Sequence, residues 1–218
     1  MRGWILRVNI KSFVLQSCAV TALGLFSAAQ VNAATVSTEI RGNDCAGVFN
    51  GSTPGFNGCV IAIDGVELSP VIAKYEVDDS GAVSNTEIND TLYSSIDGSE
   101  FTISYDADTS SGSWTYDGTA PDPNVKFWVA KAGPAFNLFW NVDDSETMAG
   151  GACETTTFNL ACMQAAQNAF SGSWDTPAGR GLSHITFYDS GIVPIPAAVW
   201  LFGTGLLGLV GVARRRRA

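Results

Sequence analysis

Apolar and polar positions divide this chain into two long uncharged runs, one near each end, and a middle of short alternating stretches. The cleanest alternation is Phe-Thr-Ile-Ser-Tyr at 101–105, which puts Phe101, Ile103 and Tyr105 on one face of a strand. A weaker alternation covers 35–41. Residues 59–63 read as a strand closed by Asp64-Gly65, and 71–77 as another that ends in the acidic turn 78–81. Residues 113–116 lead into Asp117-Gly118, a strong turn signal. The aromatic-rich stretches 125–130 and 135–142 flank Gly133-Pro134 and read as a hairpin. The last strand, 182–188, sets Leu182, His184, Thr186 and Tyr188 on one face and Ser183, Ile185 and Phe187 on the other. Residues 159–170, rich in alanine, leucine, methionine and glutamine, suit a short helix instead. Ser111-Gly112-Ser113-Trp114 returns as Ser171-Gly172-Ser173-Trp174, which suggests two related hairpins or the reuse of a good strand start. Many short strands between turn clusters predict a mainly β domain, an antiparallel β-sandwich or jelly-roll-like ectodomain with one short helix.

The two ends read differently. Residues 1–33 have the order of a secretory signal peptide: Arg2, Arg7 and Lys11, then an apolar stretch, then Val31-Asn32-Ala33 before a cut. The mature chain is expected to begin at Ala34. At the other end, Pro194 and Pro196 precede about nineteen uncharged residues and then Arg214, Arg215, Arg216 and Arg217. At 1.5 Å per residue such a helix spans about 28 Å, close to the hydrocarbon thickness of a bilayer. Four arginines directly after it have no place in a packed core, but they suit a stop on the cytoplasmic side.

This tail resembles the PEP-CTERM sorting signal of Gram-negative bacteria. The match runs through Val193-Pro194-Ile195-Pro196-Ala197-Ala198-Val199-Trp200-Leu201-Phe202-Gly203, then Gly205-Leu206-Leu207-Gly208-Leu209, then the arginines. It departs from the family name at Ile195, where a glutamate is implied. The resemblance implies recognition by an exosortase-type membrane protease and a cut near Val193–Pro196. It also implies a passage through the inner membrane to the cell surface or matrix, in association with exopolysaccharide or biofilm material. The chain is thereby divided into a signal peptide (1–33), an acidic ectodomain (34–192) and a sorting tail (193–218).

Charge sharpens this division. All 21 acidic residues lie between Glu39 and Asp189, against five basic ones, Arg41, Lys74, Lys126, Lys131 and Arg180. The ectodomain therefore carries a net charge of −16, which repels nucleic acid and excludes it as a partner. Four cysteines remain there: Cys45, Cys59, Cys153 and Cys162. Export favours structural disulfides over a zinc site, and the short-loop pairing 45–59 with 153–162 is one of three pairings open.

Candidate chemistry is sparse. His184 is the one histidine, no GxSxG accompanies it, and a packed or rim residue is the simpler reading. We therefore read the chain as non-enzymatic and without a required cofactor. Asp106, Asp108 and Ser110 place oxygens two residues apart, with Asp117 eleven residues after Asp106, a spacing that suits calcium. A solvated turn is the simpler reading there, and also at Asp78-Asp79 and Asp143-Asp144. Trp114, Trp128, Trp140 and Trp174 fit a core better than a sugar-stacking platform. A surface-displayed carbohydrate-binding module or polysaccharide-active enzyme is the competing class.

Overall fold

A computed structural model describes residues 33–190, apart from 50, 52–54 and 79. The leader through Asn32 and the tail from Gly191, with Val193–Pro196 and Arg214–Arg217, lie outside the described residues.

Ten strands and one short helix make up the described chain: β1 (Ala33–Arg41), β2 (Val60–Ile63), β3 (Val66–Val77), β4 (Val83–Ile88), β5 (Phe101–Tyr105), β6 (Ser111–Tyr116), β7 (Val125–Ala132), β8 (Ala135–Asp143), α1 (Leu160–Gln164), β9 (Ser171–Asp175) and β10 (His184–Asp189). A seven-stranded sheet runs β1-β8-β7-β10-β3-β2, with β4 paired to the far half of β3. A second sheet runs β5-β6-β9. All strand pairings are antiparallel, giving a mainly β, sandwich-like architecture.

Strands β7 and β8 occupy the middle of the large sheet and are buried along nearly their whole length. That is why their sequences are almost continuously apolar rather than alternating: both faces of the sheet are covered. On one face Phe127, Val129, Leu138 and Trp140 meet Phe49, Cys59, Cys162 and Met163. On the other, Trp128, Phe139, Ile185 and Phe187 meet Phe101, Trp114, Tyr116 and Trp174. The small sheet covers this second face, with Phe101 stacked on Phe187 at 4.3 Å between ring centres and Trp114 edge-on to Trp128 at 5.2 Å. Irregular chain closes the first face, fastened by Cys45–Cys59 and Cys153–Cys162.

The repeated Ser-Gly-Ser-Trp words are neighbours in this fold. β6 and β9 pair so that Gly112 opposes Trp174 and Trp114 opposes Gly172. A Cβ on Gly112 would lie 2.6 Å from Trp174 Cζ2, and one on Gly172 would lie 2.8 Å from Trp114 Nε1. Each indole therefore lies across the bare backbone of the other strand's glycine, and the two words form one reciprocal pair.

The helix is shorter than its composition predicts. Asn159 caps it, its side chain accepting from the Cys162 N–H at 2.9 Å, but the helix ends at Gln164. Beyond it, the Gln167 N–H donates to Asn141 O and the Ala169 N–H to Val125 O, both at 2.8 Å. Backbone groups at the margin of β7 and β8 thus recruit residues 165–170 away from the helix. Tertiary pairing overrides propensity there.

Candidate functional site

The most densely bonded polar group in the interior is a carboxylate that sequence reasoning missed. Asp44 opens a single π-helical turn, Asp44–Val48, and is 2% exposed. Its Oδ1 accepts from His184 Nε2 at 2.9 Å. Its Oδ2 accepts from Thr186 Oγ1 at 2.7 Å and from the Tyr188 hydroxyl at 3.4 Å. These three donors are the polar row that β-periodicity placed on one face of the last strand. The Tyr188 hydroxyl also lies 3.5 Å and 3.4 Å from the sulfurs of Cys45 and Cys59.

Burial pushes the Asp44 carboxyl upward, but the His184 bond and charge, the Thr186 hydroxyl and the Cys45 backbone N–H outweigh it and hold the carboxyl down to about 2. Burial, with the Asp44 charge beside it, pushes the Tyr188 phenol well up. Burial pushes the Lys131 ammonium down, partly countered by Asp44. Both oxygens of Asp44 are committed to the chain's own donors, so the cluster acts as a tie that fastens the Cys45–Cys59 loop to β10.

The calcium candidate does not assemble. Asp106, Asp108 and Ser110 sit in the turn between β5 and β6, whereas Asp117 follows the far end of β6. A six-residue strand separates the two groups by roughly 20 Å. Asp108 Oδ1 instead takes the Ser110 N–H and hydroxyl at 3.1 and 2.8 Å. Asp78 and Asp143 hold the same kind of turn, Asp78 with Ser80 and Ala82, Asp143 with Ser145. The hydroxyl and N–H bonds lower the carboxyls of Asp78, Asp108 and Asp143. Among the described residues no group of three or more His, Cys, Asp or Glu side chains is placed to hold a metal ion.

The tryptophans do not form a platform. Trp114, Trp128, Trp140 and Trp174 are at most 2% exposed and belong to the two cores. The four cysteines pair within short loops, each pair with Cα atoms 4.9 Å apart.

Open clefts lie at the surface formed by the described residues. One, of about 300 Å³, lies at the end of β10, where Tyr93 donates its hydroxyl to the buried Asp189 at 2.8 Å beside Ser94, Asp122 and Asn124. A second, of about 380 Å³, lies among Asp78, Asp108, Thr109 and Ser183. A third, of about 200 Å³, is bounded by Glu39, Arg41, Pro134, Ala135, Pro177 and Arg180. No protein-family model, no curated protein and no solved structure matches this chain.

Proposed function

We propose that the chain is an exported, non-enzymatic surface or matrix protein, sorted by an exosortase-type protease through its last 26 residues. The observation that carries this reading is the order of that tail: Val193-Pro194-Ile195-Pro196, an uncharged stretch of bilayer length, then Arg214–Arg217. The β domain supports it by fitting between the two end segments. Its described strands run from Ala33 to Asp189, within the expected ectodomain apart from Ala33. All four ectodomain cysteines are paired, as an oxidising compartment outside the cytoplasm allows.

The steps follow from this order. The tail helix holds the chain in the inner membrane while the acidic domain folds and oxidises outside. A cut near Pro196 then frees it to join exopolysaccharide at the surface. The competing lectin reading drew its sugar platform from the tryptophans, and all four are interior. The jelly-roll form of the sandwich stays part of this proposal, as does the assignment of 1–33 to a signal peptide.

Intact mass of the protein from fractionated cells tests the reading. A chain from about Ala34 to about Pro196 outside the inner membrane is expected. Replacing Pro194 and Pro196 by alanine should leave the uncut form in the membrane; unchanged processing would sink the sorting assignment.

A further inference from the structure

Only two arginines lie in the acidic ectodomain, and both border the same cleft. Arg41 closes β1, opposite Ala135 across the sheet. Arg180 follows the turn Pro177–Gly179. Both border Pro134 of the two-residue connection Gly133-Pro134 between β7 and β8. A Cβ built on Gly133 would lie 2.4 Å from Arg180 Nη1, so the guanidinium crosses bare backbone at a position with φ +54°. A side chain there would strain the backbone and push the guanidinium aside.

Both backbones are pinned. The buried Thr176 hydroxyl donates to the Arg180 carbonyl, and it also lies 3.0 Å from Ser110 O. The N–H of Gly42, next to Arg41, donates to Pro134 O at 2.8 Å. Neither guanidinium forms an ion pair among the described residues, although 21 carboxylates are available and Glu39 borders the same cleft. Lys74 behaves differently, holding Glu76 at 2.7 Å and Glu87 at 3.4 Å. Two exposed arginines without an ion pair among the described residues, beside a partly apolar wall of Pro134, Ala135 and Pro177, offer guanidinium groups to an oxyanion, which a planar guanidinium takes through two parallel bonds.

We propose that the cleft between Arg41 and Arg180 binds one small oxyanion, the carboxylate of an acidic sugar or inorganic phosphate. About 200 Å³ is below the roughly 300 Å³ at which drug-sized pockets begin, so the occupant is a single ring or ion. The net charge of −16 repels a densely charged polymer. Glu39 opposes any anion in the cleft, the dianion of phosphate more than a single carboxylate, and it offers an acceptor for hydroxyl groups, which favours the sugar. This site is independent of whether the tail is cut.

Calorimetric titration of the full chain in detergent at low salt tests it, with sodium glucuronate and inorganic phosphate as separate probes. Saturable glucuronate binding is expected, weakened about tenfold by Arg180→Gln or Arg41→Gln and less by the lysine variants, which keep charge but lose the fork. Binding of phosphate alone, with the same arginine dependence, supports the site and identifies the free ion as its ligand. No saturable heat with either probe overturns the proposal, as does unchanged affinity in the R41Q/R180Q double variant. Near-ultraviolet circular dichroism verifies the fold of each variant. Arg41→Gln, at an exposed strand end, keeps the test decisive if Arg180→Gln disturbs the turn.

Discussion

The two faces of the large sheet are closed by different means. One is covered by a regular three-stranded sheet whose aromatic side chains interlock with Trp128, Phe139 and Phe187. The other is covered by chain with little regular structure, from the Asp44 turn and from the segment around α1. Both disulfides and the fully bonded Asp44 cluster lie on this second kind of cover. A sheet brings its own ladder of hydrogen bonds and presents side chains at fixed spacing. Irregular chain brings neither, so it is held by covalent closure and by a buried polar anchor. The cover that lacks a ladder is the one that needs pins.

The sharpest way to break this contrast is to empty the aromatic interlock. Trp114 is 1% exposed and packs against Trp128 and Phe187, so Trp114→Ala should cost about 3–5 kcal/mol in a urea melt. A loss below 1 kcal/mol would mean that the small sheet contributes little to closure. Next is the covalent pin of the other face. Removing Cys45–Cys59, which closes a separation of 14 residues, as a paired serine variant should cost about 3 kcal/mol. Hydrogen exchange should then rise in 43–61 while 111–116 and 171–175 stay protected; equal exchange in both covers would refute the division. A smaller effect comes from Gly172→Ala, whose methyl would meet Trp128 Cζ2 at 2.7 Å and Trp114 Nε1 at 2.8 Å. A destabilisation of about 2 kcal/mol is expected, measured by the same melt, and a neutral result would remove the reciprocal glycine–tryptophan pair from the account.

The regular cover was far more legible in the sequence than the irregular one. β5 was predicted with its observed bounds because Phe101, Ile103 and Tyr105 face the core while Thr102 and Ser104 face out. β4 went unseen: four of its six residues are exposed and its pairing is carried by the backbone of β3, which leaves no apolar signature. The row His184, Thr186, Tyr188 was legible as a face, but its acceptor was not. Asp44 sits 142 residues from Thr186, in an Asn-Asp-Cys stretch that reads locally as a turn. Three donors in a line on an apolar strand were the signal that a buried acceptor had to exist. The spacing from Asp106 to Asp117 was weighed as a calcium site against a solvated turn, and the strand between the two aspartates sets them apart. The arginine cleft joins the ends of three separate segments, a proximity that no local pattern encodes.

The effect most diagnostic of the anchor, and no larger than that of Gly172→Ala, is its dependence on pH. The Asp44 carboxyl is lowered from an ordinary 3.8 to about 2 in the folded chain. A group depressed on folding stabilises above its unfolded value, and that contribution disappears as pH falls through the folded value. Asp44 therefore adds about 2 kcal/mol above pH 4, lost between pH 4 and pH 2. Asp44→Asn keeps the shape, loses the charge and replaces one accepting oxygen with an NH2 donor. Its stability should lie about 2 kcal/mol below that of the parent at pH 6, and the two should converge near pH 2. Other lowered carboxyls, Asp78, Asp108 and Asp143 among them, are common to both proteins, so the difference between the curves isolates Asp44. Parallel curves across this range would show that the carboxylate charge does not hold the irregular cover down. The disulfides would then be its main fastening.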